Sequence, residues 1–179
     1  IGYIERPQID VEKATPASQK ILMKVLPTLN KGDGTIFSAV KKMLIDQNFK
    51  LVKCQDLLPE LTLSTGRYGS PIAGEMILQE IKAGIKIFLK YTQLDIGQSL
   101  IFQNGHCLGM ETITGTDEMI KNIIKYRKIN DKGPSEISSG GILIKGSKPD
   151  QVLDIDTPVV GPNTIKLAKK AKLAGLLIE

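Results

Sequence analysis

Residues 99–119 read Ser-Leu-Ile-Phe-Gln-Asn-Gly-His-Cys-Leu-Gly-Met-Glu-Thr-Ile-Thr-Gly-Thr-Asp-Glu-Met, and this stretch decides the fold class. Two β-like runs, Ser99 to Phe102 and Cys107 to Glu111, flank Asn104-Gly105. Asn-Gly tolerates the positive φ angles of a tight hairpin turn, so two adjacent antiparallel strands are expected. Immediately afterwards Gly115-Thr116-Asp117 opens a helix with Met119, Ile120, Ile123 and Ile124 on one face. A hairpin leading straight into an amphipathic helix belongs to an α/β protein.

Downstream, Ser138-Ser139-Gly140-Gly141 precedes a strand over Ile142 to Lys145. A last helix is expected from Asn163 or Thr164 to about Leu173, closed by Gly175, with Leu176 to Ile178 beginning another strand. Upstream, Ile72, Met76, Ile77, Ile81, Ile85, Phe88 and Leu89 recur at helical spacing. Ser64 to Pro71 holds two glycines and a proline among small turn residues and reads as a linker. Before it, Ile1 to Glu5 looks like a strand end. A short helix carries Ile21, Leu22, Val25 and Leu26, and a stronger one carries Ile36, Ala39, Val40, Met43 and Leu44. Phe49, Leu51, Val52 and Cys54 then read as a strand. That order suits the second half of a small αβ sandwich, and it divides the chain into residues 1–63 and 64–179.

Composition narrows the classes. With 41% hydrophobic and 24% charged residues in a chain of 179, disorder, collagen and coiled coil are excluded, and a core can form without disulfide or metal staples. No apolar run approaches the ~20 residues of a membrane span. The net charge of +5 invites a nucleic-acid reading, but the cations are nearly all lysines; the arginines are Arg6, Arg67 and Arg127. Arginine is the bidentate reader of bases and phosphates, and four Tyr with four Phe and no Trp make no stacking platform. A lysine-rich RNA-binding domain is therefore the weakest of the function classes. Cys54 and Cys107 stand alone, outside any CxxC pair, and are expected to be reduced. The chain opens at Ile1 without a start Met, which reads as a fragment, and it stops within the Leu176–Ile178 strand, so its end looks cut as well.

Two stretches carry chemistry. Gly115-Thr116-Asp117 has a structural reading, Thr116 as helix cap and Asp117 as a first-turn acid on the positive end of the helix dipole. Its functional reading lets a phosphate approach the helix N-terminus past Gly115, with Asp117 holding a metal or positioning water and Glu111 nearby. The second stretch runs from Lys145-Gly146-Ser147-Lys148 to Asp154-Ile155-Asp156-Thr157-Pro158. Lys145 and Lys148 can meet phosphate oxygens as point charges, and Asp154 and Asp156 share one side of an extended segment in a manner suited to Mg²⁺. Gly32-Asp33-Gly34 could cradle a phosphate but lacks the P-loop pattern. The single His106 has no zinc partners at ligand spacing, and no GxSxG elbow is present, so any hydrolysis runs by metal and carboxylate.

Asp95-Ile96-Gly97-Gln98, the hairpin ending in Met110-Glu111, Gly115 to Met119, Gly141 to Lys145 with Lys148-Pro149, and Asp156 to Thr164 occur in that order. Together they resemble the LpxI family of UDP-2,3-diacylglucosamine pyrophosphatases of lipid A biosynthesis. Lys31 to Gly34, Asn48 to Val52 and Leu57 to Leu61 look like the same pattern, so the resemblance covers nearly the whole chain. It implies a bacterial, cytoplasmic, Mg²⁺-dependent hydrolase of two domains with the substrate, UDP-2,3-diacylglucosamine, between them. The products would be UMP and 2,3-diacylglucosamine 1-phosphate. Residues 1–63 would be the end of a Rossmann-like N-terminal domain, and 64–179 a mixed α/β catalytic domain. By motif, Asp117 and Asp156 are the metal and catalytic positions, with Glu111 as a third catalytic residue. Thr116, Gly115, Lys145, Lys148, Gln98 and Asp33 are substrate-binding positions. The resemblance is compatible with peripheral contact with the inner membrane and with a homodimer, and implies no nucleic-acid partner. The glycine-rich opening of such a first domain is not among these residues, so this piece by itself is expected to be inactive. The alternative is a non-catalytic nucleotide-sugar binding fragment or the remnant of a decayed gene.

Overall fold

The computed structural model describes residues 10–28, 33–70, 74–129, 138–149 and 157–179. The chain divides into two units, Ile1–Ser64 with Asp150–Thr157, and Thr65–Pro149 with Pro158–Glu179.

The first unit is helical where it is described. Thr15 accepts from the Ser18 amide, and Pro16 occupies the first turn, so α1 runs Pro16–Val25. A 3₁₀ turn, Leu26–Thr28, follows, then α2, Asp33–Asp46. Asn48, at φ +62°, ends α2: its amide bonds Ile45 O and the Phe49 amide bonds Leu44 O at 3.0 Å, a Schellman closure. The strand expected over Phe49–Cys54 does not form. Residues 49–53 are irregular, Cys54–Leu57 is a helical turn (α3), and Pro59–Leu61 is a 3₁₀ turn. The reason is the missing ladder: no strand pairs with this stretch among the described residues, and Phe49 and Val52 are exposed. β-propensity alone does not hold a strand. The expected strand at Ile1–Glu5 lies outside the described residues. No described residue of this unit is fully buried.

The second unit holds the core. Helix α4, Glu75–Thr92, is followed by β1, Ser99–Gln103, and β2, His106–Met110. Asn104 and Gly105, at φ +48° and +80°, make the hairpin turn that their types favour. Helix α5, Gly115–Ile129, strand β3, Ile142–Lys145, helix α6, Pro162–Lys170, and strand β4, Gly175–Ile178, complete it. The sheet order is β2-β1-β3-β4; β1 is antiparallel to both its neighbours, and β3 and β4 are parallel. A bulge between Ile101 and Phe102 shifts the β1–β2 register.

Both faces of the sheet are covered, which is why central β1 and β3 are buried along their whole lengths. Ile101 and Leu143 meet Met119, Ile120 and Ile123 of α5 on one face; Leu100, Phe102, Ile142 and Ile144 meet Phe88 and Tyr91 of α4 on the other. Each such side chain contributes roughly 1.5–3 kcal/mol by burial. Gly84 lets α4 lie close to the sheet, because a β-carbon there would meet Ile144 Cδ1 at 2.6 Å. At the end of α6, Gly175 is not the closing residue. Lys172, at φ +54°, takes the left-handed position, with the Lys172 amide on Lys169 O at 3.0 Å and the Leu173 amide on Ala168 O at 3.1 Å. Gly175 instead begins β4. Among the described residues no helix is long and apolar enough to cross a membrane.

Candidate functional site

The topology collects several chain ends at one edge of the second unit. β2 and β3 finish there at Met110 and Lys145, and α5 and α6 begin there. Parallel strands with following helices place their C-terminal edge where ligands bind in open α/β sheets, because helix N-termini offer unpaired amides.

Glu111, just past β2, is fixed through its backbone. Its amide donates to Ser99 O at 2.8 Å, and its carbonyl accepts from the Tyr91 hydroxyl. Gly97 is a glycine because a side chain there would strike that same carbonyl and the Tyr91 oxygen. Glu111 Oε2 accepts from Ser99 Oγ at 2.6 Å and from the Gln98 amide at 3.4 Å. Lys145 Nζ stands 3.9 Å from the same oxygen and donates to Thr116 Oγ1 at 2.8 Å. Ser99 Oγ lies 3.3 Å from Thr116 Oγ1. Glu111, Ser99, Thr116 and Lys145 are all buried, so this is a desolvated ion pair with two hydroxyls bridging it. Thr116 was expected to cap α5; it sits inside the first turn and its hydroxyl receives Lys145. Burial, and then the nearby Glu111 charge, push the Tyr91 hydroxyl pKa well above its ordinary value.

Asp117 is the next residue of α5 and points elsewhere. Thr164 Oγ1 donates to its Oδ1 at 2.7 Å and Asn163 Nδ2 to its Oδ2 at 2.5 Å. One carboxylate thus joins the first turns of α5 and α6, whose dipoles both favour a negative charge. Gly115, preceding this turn, has φ +84° with open space where a side chain would stand.

The remaining expected residues fall elsewhere or outside the description. Lys148 Nζ pairs with Asp95 Oδ1 at 2.7 Å. Gln98 contributes backbone at both ends, its carbonyl accepting from the Gly146 amide at 3.2 Å. Asp33 begins α2 in the other unit. Asp154 and Asp156 lie outside the described residues. Four partners were not expected as site residues: Ser99, Tyr91, Asn163 and Thr164. Ser99 carried a faint signal as the polar start of an apolar strand; Tyr91 was hidden in an ordinary helix face.

Among the described residues no group of three or more His, Cys, Asp and Glu could enclose a metal. Mg²⁺, however, commonly uses one or two carboxylates and completes its shell with water and phosphate oxygens. Each Asp117 oxygen accepts one of the hydrogen bonds above, which leaves each a further acceptor direction. Among the described residues the donor set fits a cation shared with a phosphate ligand better than an all-protein cage.

The fold and this cluster define a mixed α/β domain that gathers carboxylates, an ammonium group and two helix N-termini at one sheet edge. Residues 64–179 match the model of the LpxI C-terminal domain, and the chain belongs to that family. Over 179 residues it is 26% identical to UDP-2,3-diacylglucosamine pyrophosphatase LpxI of Caulobacter vibrioides, covering 99% of this chain. The chain spans 63% of that relative's length.

Proposed function

We propose that this chain is part of an enzyme that hydrolyses the pyrophosphate bond of UDP-2,3-diacylglucosamine, giving UMP and 2,3-diacylglucosamine 1-phosphate for lipid A synthesis. Family membership supports a hydrolase of this kind. The observation that carries the reading to particular residues is Asp117, held between the first turns of α5 and α6 by Asn163 and Thr164. A carboxylate clamped from both oxygens keeps its position while charge develops beside it, which is the preorganisation that phosphoryl chemistry rewards.

In this reading Asp117 holds Mg²⁺, with Asp156 the second carboxylate that the sequence offers. Bound Mg²⁺ would offset charge on the diphosphate and lower the pKa of a coordinated water. The chain's own residues do the positioning. The backbone amides in the first turn of α5, after Gly115, would donate to phosphate oxygens. Thr116 is held by Lys145, and Lys145 is neutralised by Glu111, so this pair stiffens the floor of the site. Lys148 can turn from Asp95 to a substrate oxygen. The N-terminal part of the chain would be the end of a Rossmann-like domain, and the enzyme would work in the cytoplasm, touching the inner membrane where its acylated substrate resides.

The test uses the whole enzyme that contains this chain, with Mg²⁺ and the diphosphate substrate. Asp117→Asn is expected to lower kcat at least ~100-fold, the order lost when a charge-stabilising group is removed, while the thermal transition stays near wild type. Turnover within twofold of wild type would sink the assignment. UDP binding without hydrolysis, indifferent to Mg²⁺, would replace it with a binding module.

A further inference from the structure

The opposite edge of the sheet in the same unit carries a second cluster, of one sign only among the described residues. Here α5 and α6 end. Arg127 is 8% exposed, yet among the described residues none of its partners is an acid. Its Nη1 donates to Ala171 O, and Nη2 donates to Gln103 Oε1 at 2.6 Å and to Gly140 O at 2.9 Å. Gln103 is itself held by Nε2 on Ser139 O at 2.6 Å. The buried Arg127 Nε has no hydrogen-bond partner among the described residues. Among the described residues a full positive charge therefore sits out of water against neutral dipoles, and that burial lowers its pKa.

A cavity of about 230 Å³ opens beside it, lined by Arg127, Lys128, Ser138, Lys170 and Lys172, with Ile124 and Ala171 as its apolar part. No acidic residue lines it among the described residues. Cations near helix C-termini do favour the dipole, which accounts for one lysine on each helix. It does not account for a guanidinium desolvated without an anion, nor for three further ammonium groups brought round one cavity.

We propose that this cavity binds a small anion of the phosphate class. Lys128, Lys170 and Lys172 supply charge at its mouth, the Ser138 hydroxyl supplies a donor, and Arg127 is the fixed positive charge behind them. The volume lies below the roughly 300 Å³ at which pockets for drug-sized ligands begin. That suits inorganic phosphate or a phosphomonoester headgroup and not a nucleotide. The site shares no residue with the Asp117 cluster, so it stands whether or not the pyrophosphatase reading holds.

The experiment titrates the isotope-labelled full chain with inorganic phosphate at constant ionic strength, following backbone amides. Saturable shifts are expected at Lys128, Ser138 and Lys172. The double variant Lys128→Gln/Lys170→Gln, both exposed positions, is expected to weaken that binding about tenfold, the sum of two exposed ion contacts. Shifts at Gly115 to Asp117 should be the same in both proteins. A parallel arm measures sedimentation with phosphatidic acid vesicles against phosphatidylcholine vesicles. Saturation by phosphate without vesicle binding identifies a soluble phosphate compound. Vesicle binding that the double variant loses identifies a lipid headgroup. No saturation in either arm, saturation confined to amides away from the cavity, or unchanged affinity in the double variant overturns the proposal.

Discussion

At the scale of single residues, Lys145 and Lys148 show how position decides the worth of a charge. Lys145 ends β3 and Lys148 lies three residues further on, and both read as phosphate ligands in the sequence. Lys145 and its partner Glu111 have side chains 7% and 11% exposed, whereas Lys148 and Asp95 are 13% and 36% exposed. Removing one member of a buried pair strands the other, at ~3–5 kcal/mol; a more open pair contributes at most ~1 kcal/mol. Lys145→Ala is thus expected to lower the urea midpoint far more than Lys148→Ala, and equal shifts would contradict the buried pair.

Tyr91 offers a test by pH. Its pKa in the folded chain is raised above the ordinary 10.0. Above pH 10 the unfolded chain loses this proton while the folded chain keeps it, so the unfolded state binds fewer protons and stability falls with rising pH. Its contribution is complete below pH 10 and is lost above it. Tyr91→Phe should lower stability by about 1 kcal/mol at neutral pH, through the lost hydrogen bond to Glu111 O, and should flatten the alkaline decline. A decline as steep as that of wild type would show that another group titrates there.

At the scale of elements, glycines set the spacing. A β-carbon at Gly84 would meet the end of a core side chain, whereas one at Gly97 would meet a backbone carbonyl that cannot turn aside. Gly84→Ala gains about 1 kcal/mol in helix propensity against an overpacking cost of ~1–3 kcal/mol. It should be mildly destabilising, and Gly97→Ala clearly more so; the reverse order in thermal melts would mean that α4 cannot shift on the sheet while the backbone around Gly97 can. Lys172 ends α6 in a conformation that costs an L-residue about 1–2 kcal/mol. Lys172→Gly is therefore expected to raise the thermal midpoint, and a lower midpoint would show the lysine side chain contributing more than its backbone costs.

For the molecule as a whole, burial is uneven. Leu100, Ile101 and Leu143 are completely buried, whereas the helices of the first unit expose much of their apolar surface, Met23 and Ile45 among it. Amide exchange is expected to be slowest in β1 and β3 and faster throughout α1 and α2, since local opening follows the depth of packing. Uniform protection across the chain would refute that ordering.

The α/β class of residues 74–179 was legible because its signals are local: Asn104-Gly105 sets a turn by backbone sterics, and the apolar faces of α4 and α5 follow the helical period. Asp117 and Lys145 were legible as candidates for the same reason, since a strand end and a helix start are written in adjacent residues. Phe49 to Cys54 failed because a strand exists only with a neighbour to complete its hydrogen bonds, and propensity carries no information about that neighbour. Gly175 failed as a helix stop because Lys172 met the left-handed requirement first, with two backbone hydrogen bonds repaying the strain. Ser99 was legible only faintly, and the roles of Tyr91, Asn163 and Thr164 were not, as they arise from residues many positions away. Local sterics and periodicity thus belong to the sequence by itself. The pairing of Glu111 with Lys145, the clamp on Asp117 and the uncompensated charge of Arg127 were decided only by the tertiary structure, because burial and long-range contact determine what a charge costs and which partner it finds.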